Sequence, residues 1–269
     1  MIGAAVARSL ANSGHRAIGY DIDPAAADRL ADLLDAAGSP ADVARGSDVI
    51  HLAVLTAEQA LAVLDGPDGI LESARPGTTV LLLSTVAPAK LDAIAELGAA
   101  SGVTILDCGV TRGEDPDRNT MTATVGGDPV DVERVRPVIE AWARTLVHCG
   151  PLGTGMAVKI GRNAVTFGMW RALEETTRML LAAGVPEDRI IEALRASDPT
   201  GELLYGQRLH IGRFPAGTPE RAAAVEHGRS ILEKDMAAVL ELAERGGVAV
   251  PMLEVVRREA GDSMDGYHA

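Results

Sequence analysis

Lys159 and Asn163 stand four residues apart in the stretch Gly153–Asn163, and they are the first candidates for chemistry in this sequence. On a helix that spacing puts an ammonium and an amide on one face, one turn apart. They follow a Gly153-Thr154-Gly155 turn that reads as the start of a helix. The chain has only three lysines against 22 arginines. Arginine keeps its proton inside a protein, whereas lysine can release it. A chain that takes its positive charge from arginine can keep lysine where the proton itself is used, as in general acid–base catalysis. The alternative is a solvated lysine on an amphipathic helix, since most lysines are exposed.

A second set lies at the start of the chain. A dinucleotide fold needs a strand, then Gly-x-Gly-x-x-Gly, then a helix whose N-terminus faces the pyrophosphate. Here the chain opens Met1-Ile2-Gly3, and Gly3 fits the third glycine, the one that allows close helix–strand packing. Asp21 comes 18 residues later, at the end of the next strand, where a carboxylate binds the adenosine ribose hydroxyls. A carboxylate there repels a 2′-phosphate, and no arginine follows immediately, so NAD is expected over NADP. Asp23 followed by Pro24 also reads as a helix-capping turn. Both readings of Asp21-Ile22-Asp23-Pro24 can hold together. The first strand and two glycines of the motif do not precede Gly3. The expectation is that the chain starts at an internal methionine of a longer protein. The alternative is a chain that lacks them, with sheet and cofactor site both compromised.

The elements that must position these residues come in two groups. In the first half, residues 3–13 read as a helix, 16–21 as a strand and 24–32 as a helix, with a weak strand at 33–37. The apolar runs 48–55 and 78–85 suit strands buried on both faces of a parallel sheet. Helices near 57–64 and 88–101 alternate with them, then a strand at 103–107, and residues 121–148 add a strand, a helix and a strand. This alternation means a Rossmann-type, doubly wound α/β sheet. After Gly153 residues 154–183, 187–196, 200–209, 229–246 and 251–264 all read helical. The first of these is about 30 residues, or roughly 45 Å long. The expected organisation is a dinucleotide-binding domain over 1–152 and an all-α domain over 153–269, joined by that long helix.

Composition removes several classes of function. A formal net charge of −13 argues against a nucleic-acid partner, because phosphate binding needs a basic face. No apolar run is long enough for a transmembrane helix. Two cysteines, Cys108 and Cys149, and no signal peptide suit a reducing cytosol, so a cytoplasmic location is expected. The six histidines show no metal-ligand spacing and the cysteines no Cys-x-x-Cys pair, so no metal is expected.

Taken together these positions resemble the β-hydroxyacid dehydrogenase family, the group of 3-hydroxyisobutyrate and tartronate semialdehyde reductases. The resemblance covers essentially the whole chain from Gly3. The family's catalytic helix resembles Gly-x-Gly-x-x-x-Lys-x-x-x-Asn, matched by Gly153, Gly155, Lys159 and Asn163. Its substrate loop looks like Asp-x-Pro-Val-Ser-Gly-Gly and reads here Asp107-Cys108-Gly109-Val110-Thr111-Arg112-Gly113. A late Lys-Asp pair is matched by Lys234-Asp235. The departures are specific. Serine becomes Thr111, the middle glycine becomes Arg112 and the proline becomes Gly109. The stretch Glu114–Asn119 replaces one that is normally small and apolar, and the usual Asp-Ser-Thr is Leu83-Ser84-Thr85. The first asparagine of the usual Asn-Asn pair is Arg162.

The resemblance implies hydride transfer between a nicotinamide cofactor and the carbinol carbon of a small β-hydroxyacid. It makes Lys159 the group that hydrogen-bonds the reacting oxygen, general acid in reduction and, as the neutral amine, base in oxidation. Asn163 would orient the substrate, and Thr111 with the backbone of Arg112 and Gly113 would hold its carboxylate. Arg112 would add a contact to a second acidic group or, as the alternative, pair at the surface with Glu114. Gly3, Asp21, Leu55, Thr85 and Lys234 are the implied cofactor-binding residues; Lys234 can equally pair with a carboxylate along its helix. The partner is then a small acidic substrate, with no nucleic acid and no membrane, and a homodimer or homotetramer formed through the helical half. An imine reductase resembles the same group in fold and cofactor, and Lys159 favours the hydroxyacid. A non-catalytic remnant that no longer binds cofactor is the third reading.

Overall fold

The computed structural model describes residues 2–111, 120–197 and 217–259. Arg112, Gly113, the stretch 114–119 and the expected helix over 200–209 lie outside the described residues. The chain divides into two compact units, Met1–Lys159 and Ile160–Ala269.

In the first unit the elements run α1 (Ile2–Asn12), β1 (Ile18–Gly19), α2 (Pro24–Asp28), β2 (Asp35–Ala36), α3 (Pro40–Gly46), β3 (Val49–Leu52), α4 (Ala57–Asp65), α5 (Ile70–Ser73), β4 (Thr79–Leu82), α6 (Pro88–Ala100), β5 (Thr104–Thr111), β6 (Met121–Gly126), α7 (Pro129–Glu140) and β7 (Ala143–Gly150). Helix α8 (Thr154–Ala182) begins in this unit and continues into the second, which holds α9 (Glu187–Ser197), α10 (Pro219–Gly246) and α11 (Pro251–Arg258). Proline stands at the start of α3, α6, α7, α10 and α11, where its missing N–H costs no hydrogen bond. Among the described residues no helix is long and apolar enough to cross a membrane.

The main sheet has the order β3-β4-β5-β6-β7, parallel throughout except for the β5–β6 pair. Strands β1 and β2 form a separate parallel pair. No ladder joins the two sheets among the described residues. Strand β4 is buried along its whole length, as its unbroken apolar run predicts. One face of the main sheet presents Leu81, Leu106, Cys108, Val110, Ala123 and Val125 to Ala5, Val6 and Leu10 of α1 and to Val132, Val135 and Ile139 of α7. Each of the valine, leucine and isoleucine side chains among them, fully buried, contributes about 1.5–3 kcal/mol.

The structure corrects several expectations. The strand expected over 16–21 is the short β1, and the helix expected over 24–32 ends at Asp28. Helices α3 and α5 were not expected. Strand β5 does not end at Asp107 but runs on to Thr111, because the antiparallel partner β6 pairs with each residue from Asp107 to Thr111. The described part of the supposed substrate loop is therefore strand. Helix α10 starts at Pro219, ten residues before the expected 229, with Thr218 as its N-cap accepting from the Arg221 N–H.

Candidate active site

Period two along β5 sends Leu106, Cys108 and Val110 into the core and leaves Asp107, Gly109 and Thr111 on the other face. On that face the first turn of α8 is seated. The Asp107 carboxylate is completely buried and accepts backbone N–H bonds from Gly153 at 2.6 Å and from Met156. It thus satisfies donors that a helix start leaves open, and its negative charge suits the positive end of the helix dipole. Burial pushes its pKa above the ordinary carboxylate value, while the N–H groups of Gly153, Met156 and Gly155 pull it down.

Two glycines set how closely the helix approaches. A Cβ on Gly155 would fall 2.5 Å from the Thr124 carbonyl oxygen and 2.6 Å from the Gly126 nitrogen. A Cβ on Gly109 would fall 2.5 Å from the Cβ of Lys159. Position 109, a proline in the resembled motif, has no room here for any side chain unless α8 moves. The Thr124 hydroxyl on β6 lies 3.2 Å from the Gly109 carbonyl and 3.0 Å from that of Gly155, bridging β5 to α8. Lys159 is thereby held over β5, half-buried, with Thr111 two residues beyond Gly109 on the same strand face.

In the helical unit Asn163 is buried, and its Nδ2 donates to Asp235 Oδ2 of α10 at 2.7 Å. Lys234 Nζ lies 2.9 Å from Asp235 Oδ1; the ion pair is close, but it lacks hydrogen-bond alignment, since that oxygen has no hydrogen-bond partner. Arg162 Nη1 donates to Asn163 Oδ1 at 3.3 Å. Asp235, to which sequence reasoning gave no role of its own, is the link between Asn163 and Lys234. The alternative for Lys234, pairing with a carboxylate of its own helix, is what the geometry contains.

At the other end, the segments after β3 and β4 are tied together. The Ser84 hydroxyl accepts from the Val54 N–H at 2.9 Å and donates to the Val54 carbonyl at 2.8 Å. Leu55 and Thr85 are the next residues on each segment. The Leu55 N–H donates to Gln59 of the capping box that starts α4. A Cβ on Gly3 would meet that of Ala53 at 3.4 Å, so the start of α1 lies against the segment after β3. This is contact without clash, a weaker demand for glycine than expected. Gly3, Leu55 and Thr85 thus gather at the C-terminal ends of parallel strands, the edge at which doubly wound sheets bind dinucleotides. Asp21 is exposed just after β1, and one of its oxygens accepts from the Asp23 N–H. Asp23 in turn accepts from Ala25 at the start of α2. Capping falls to Asp23, and the second oxygen of Asp21 makes none of these bonds.

Cys108 is buried in the core and its thiol is pushed far up by burial, which removes it as a nucleophile. Among the described residues no group of three or more histidines, cysteines or carboxylates is placed to hold a metal.

A dinucleotide-edge sheet followed by helices, with a lysine held where the two sequences of elements meet, defines a class: the NAD(P)-dependent oxidoreductases. Residues 1–150 match the NAD-binding domain of 6-phosphogluconate dehydrogenase. The chain is 28% identical to a probable mitochondrial 3-hydroxyisobutyrate dehydrogenase of Dictyostelium discoideum, over 89% of this chain and 75% of that one. It is 29% identical to an NAD-dependent L-serine dehydrogenase of Pseudomonas aeruginosa, over 93% and 85%. A 3-hydroxyisobutyrate dehydrogenase from Salmonella typhimurium has the same fold, with a TM-score of 0.83 at 24% identity over 99% of this chain and 92% of that one. The chain belongs to the β-hydroxyacid dehydrogenase family.

Proposed function

We propose that this protein oxidises a small β-hydroxyacid of the 3-hydroxyisobutyrate or serine type, reversibly, with NAD in preference to NADP. The observation that carries the reading is Lys159 seated on Gly109 of β5 by the Asp107 and Thr124 contacts. The nicotinamide, when bound, supplies the acceptor or donor of hydride. Lys159 handles the proton. In oxidation its neutral amine takes the hydroxyl proton while the carbon loses hydride; in reduction its ammonium returns that proton to the carbonyl oxygen. Thr111 supplies a hydroxyl to the substrate carboxylate, and the backbone of Arg112 and Gly113 adds to it. Asn163, held by Asp235, orients the substrate, and Lys234 contributes to binding the cofactor. Gly3, Leu55 and Thr85 bring backbone to the dinucleotide, and Asp21 offers its carboxylate to the ribose hydroxyls and repels a 2′-phosphate.

The test is a calorimetric titration with NADH and NADPH, followed by oxidation assays on 3-hydroxyisobutyrate and L-serine. Tighter binding of NADH and turnover of at least one hydroxyacid are expected. Equal or tighter binding of NADPH would remove the NAD preference. Reduction of cyclic imines with no turnover of any β-hydroxyacid would overturn the reaction assigned.

A further inference from the structure

On the sheet face that carries Lys159, β5 and β6 set residues opposite one another in pairs: Asp107 with Gly126, Gly109 with Thr124, Thr111 with Thr122. The middle pair lies under the lysine. A Cβ on Gly109 would fall 2.5 Å from the Lys159 Cβ and 2.6 Å from the Thr124 hydroxyl oxygen. The Thr111–Thr122 pair is the next on that face, about 7 Å farther along the strands. All of these residues belong to the unit Met1–Lys159, so the group is complete within one unit.

The two threonines of β6 are used differently. The Thr124 hydroxyl is taken up by the carbonyl groups of Gly109 and Gly155. Thr122 is half-buried, and among the described residues no hydrogen bond uses its hydroxyl. It stands between Thr111 of β5 and Thr145 of β7, and Thr145 is exposed. A hydroxyl is both a donor and an acceptor. In the reading above, the carbinol oxygen of the substrate lies at Lys159 and the carboxylate at Thr111. The substrate then runs along β5 with its α-carbon between those ends. A substituent on that carbon that projects sideways over β6 meets Thr122, because the Thr124 hydroxyl is already engaged.

We propose that Thr122 is a specificity-determining residue that hydrogen-bonds the α-substituent, so that the chain prefers β-hydroxyacids with a polar α-substituent to those with a methyl group. This rests on the hydroxyacid reading above and names the group that separates its two substrate types. A methyl group in that place shields the Thr122 hydroxyl from water without giving it a partner, and that loss is what discriminates.

Glycerate and 3-hydroxyisobutyrate are matched probes, β-hydroxyacids of the same length that differ by hydroxyl against methyl on the α-carbon. Each, as the racemate, is titrated calorimetrically into the full chain with NADH present, so that no hydride moves and binding is read apart from turnover. The wild-type chain is expected to bind glycerate about fivefold more tightly, the ratio that one ordinary hydrogen bond gives. Thr122→Val, which keeps the shape and suits a strand, is expected to abolish the preference by weakening glycerate alone. Thr122→Ala, which also removes the hydroxyl, gives the same reading if valine unsettles the sheet. Thr122→Ser keeps the hydroxyl and should keep the preference, and Thr145→Val should change nothing. Equal weakening of both acids in Thr122→Val would mean that the hydroxyl serves the carboxylate or the fold, and would overturn the proposal. So would a wild-type chain with no preference for glycerate, whatever its turnover. Failure to oxidise either acid, with the preference and its loss in Thr122→Val intact, would overturn the reaction and leave Thr122 assigned.

Discussion

At the scale of single residues, chemistry rests on one lysine whose neighbours can be named. Lys159→Arg keeps the charge and changes the helix propensity little, but it removes the group that can give up a proton. Turnover is expected to fall by about 10²-fold or more with NADH affinity unchanged; retention of more than a tenth of wild-type activity would remove Lys159 from the chemistry. The spacing of Lys159 and Asn163 was legible because it is local. Asp235 was legible only as half of a pair, since its bond to Asn163 joins positions 72 residues apart. Thr124 carried no signal at all: a threonine on an alternating strand is ordinary, and only the landing of α8 gives its hydroxyl two carbonyls to bridge.

At the scale of elements, the start of α8 depends on a carboxylate from another element. Asp107→Asn leaves one oxygen to accept and turns an amide N–H₂ toward the helix's own N–H donors. The expected cost is about 1–3 kcal/mol of stability, read by denaturant unfolding, together with a lower kcat as Lys159 loses its seat; unchanged stability would show that the cap is dispensable. A second tie joins β3 to the segment after α7. Trp142, fully buried, donates its Nε1–H to His51 Nε2 at 3.0 Å, so His51 must stay neutral to accept. Burial, with the charge of His15 adding to it, pushes the His51 pKa down from 6.5 to about 4. The unfolded chain takes up this proton below pH 6.5 and the folded chain only near 4. The stability contribution is therefore present above the unfolded pKa and lost as pH falls through that window, by at most about 1.4 kcal/mol per pH unit. Chemical denaturation from pH 7 to 4 should show this slope, and His51→Gln, which keeps an acceptor for Trp142, should flatten it by one proton. Strand and helix periodicity made β3, β4, α1 and α8 readable. Helix α3 and the one-turn α5 are too short for a period to register. The early start of α10 had a readable signal in Thr218-Pro219-Glu220, a cap followed by proline and an acid.

At the scale of the whole molecule, two units share one helix, and only the first carries the dinucleotide edge. A ligand that binds the folded state alone stabilises it by mass action. NADH at a hundred times its dissociation constant is expected to stabilise the first unit by about 2.7 kcal/mol, seen in scanning calorimetry as a rise in its unfolding temperature. No rise at any NADH concentration would mean that the edge built by Gly3, Leu55 and Thr85 does not hold the cofactor.

The sequence by itself determined the α/β half and the helical half, the family, and the positions of Lys159, Asn163 and Asp21, because periodicity and motif spacing are properties of neighbours along the chain. The tertiary structure alone decided that Asp107 to Thr111 is strand, since its antiparallel partner lies in another segment. It alone decided that Asp107 caps α8 and that Gly109 must lack a side chain beneath Lys159. Each of these depends on which distant groups share a few ångströms, and burial and approach distance exist only once the chain has folded.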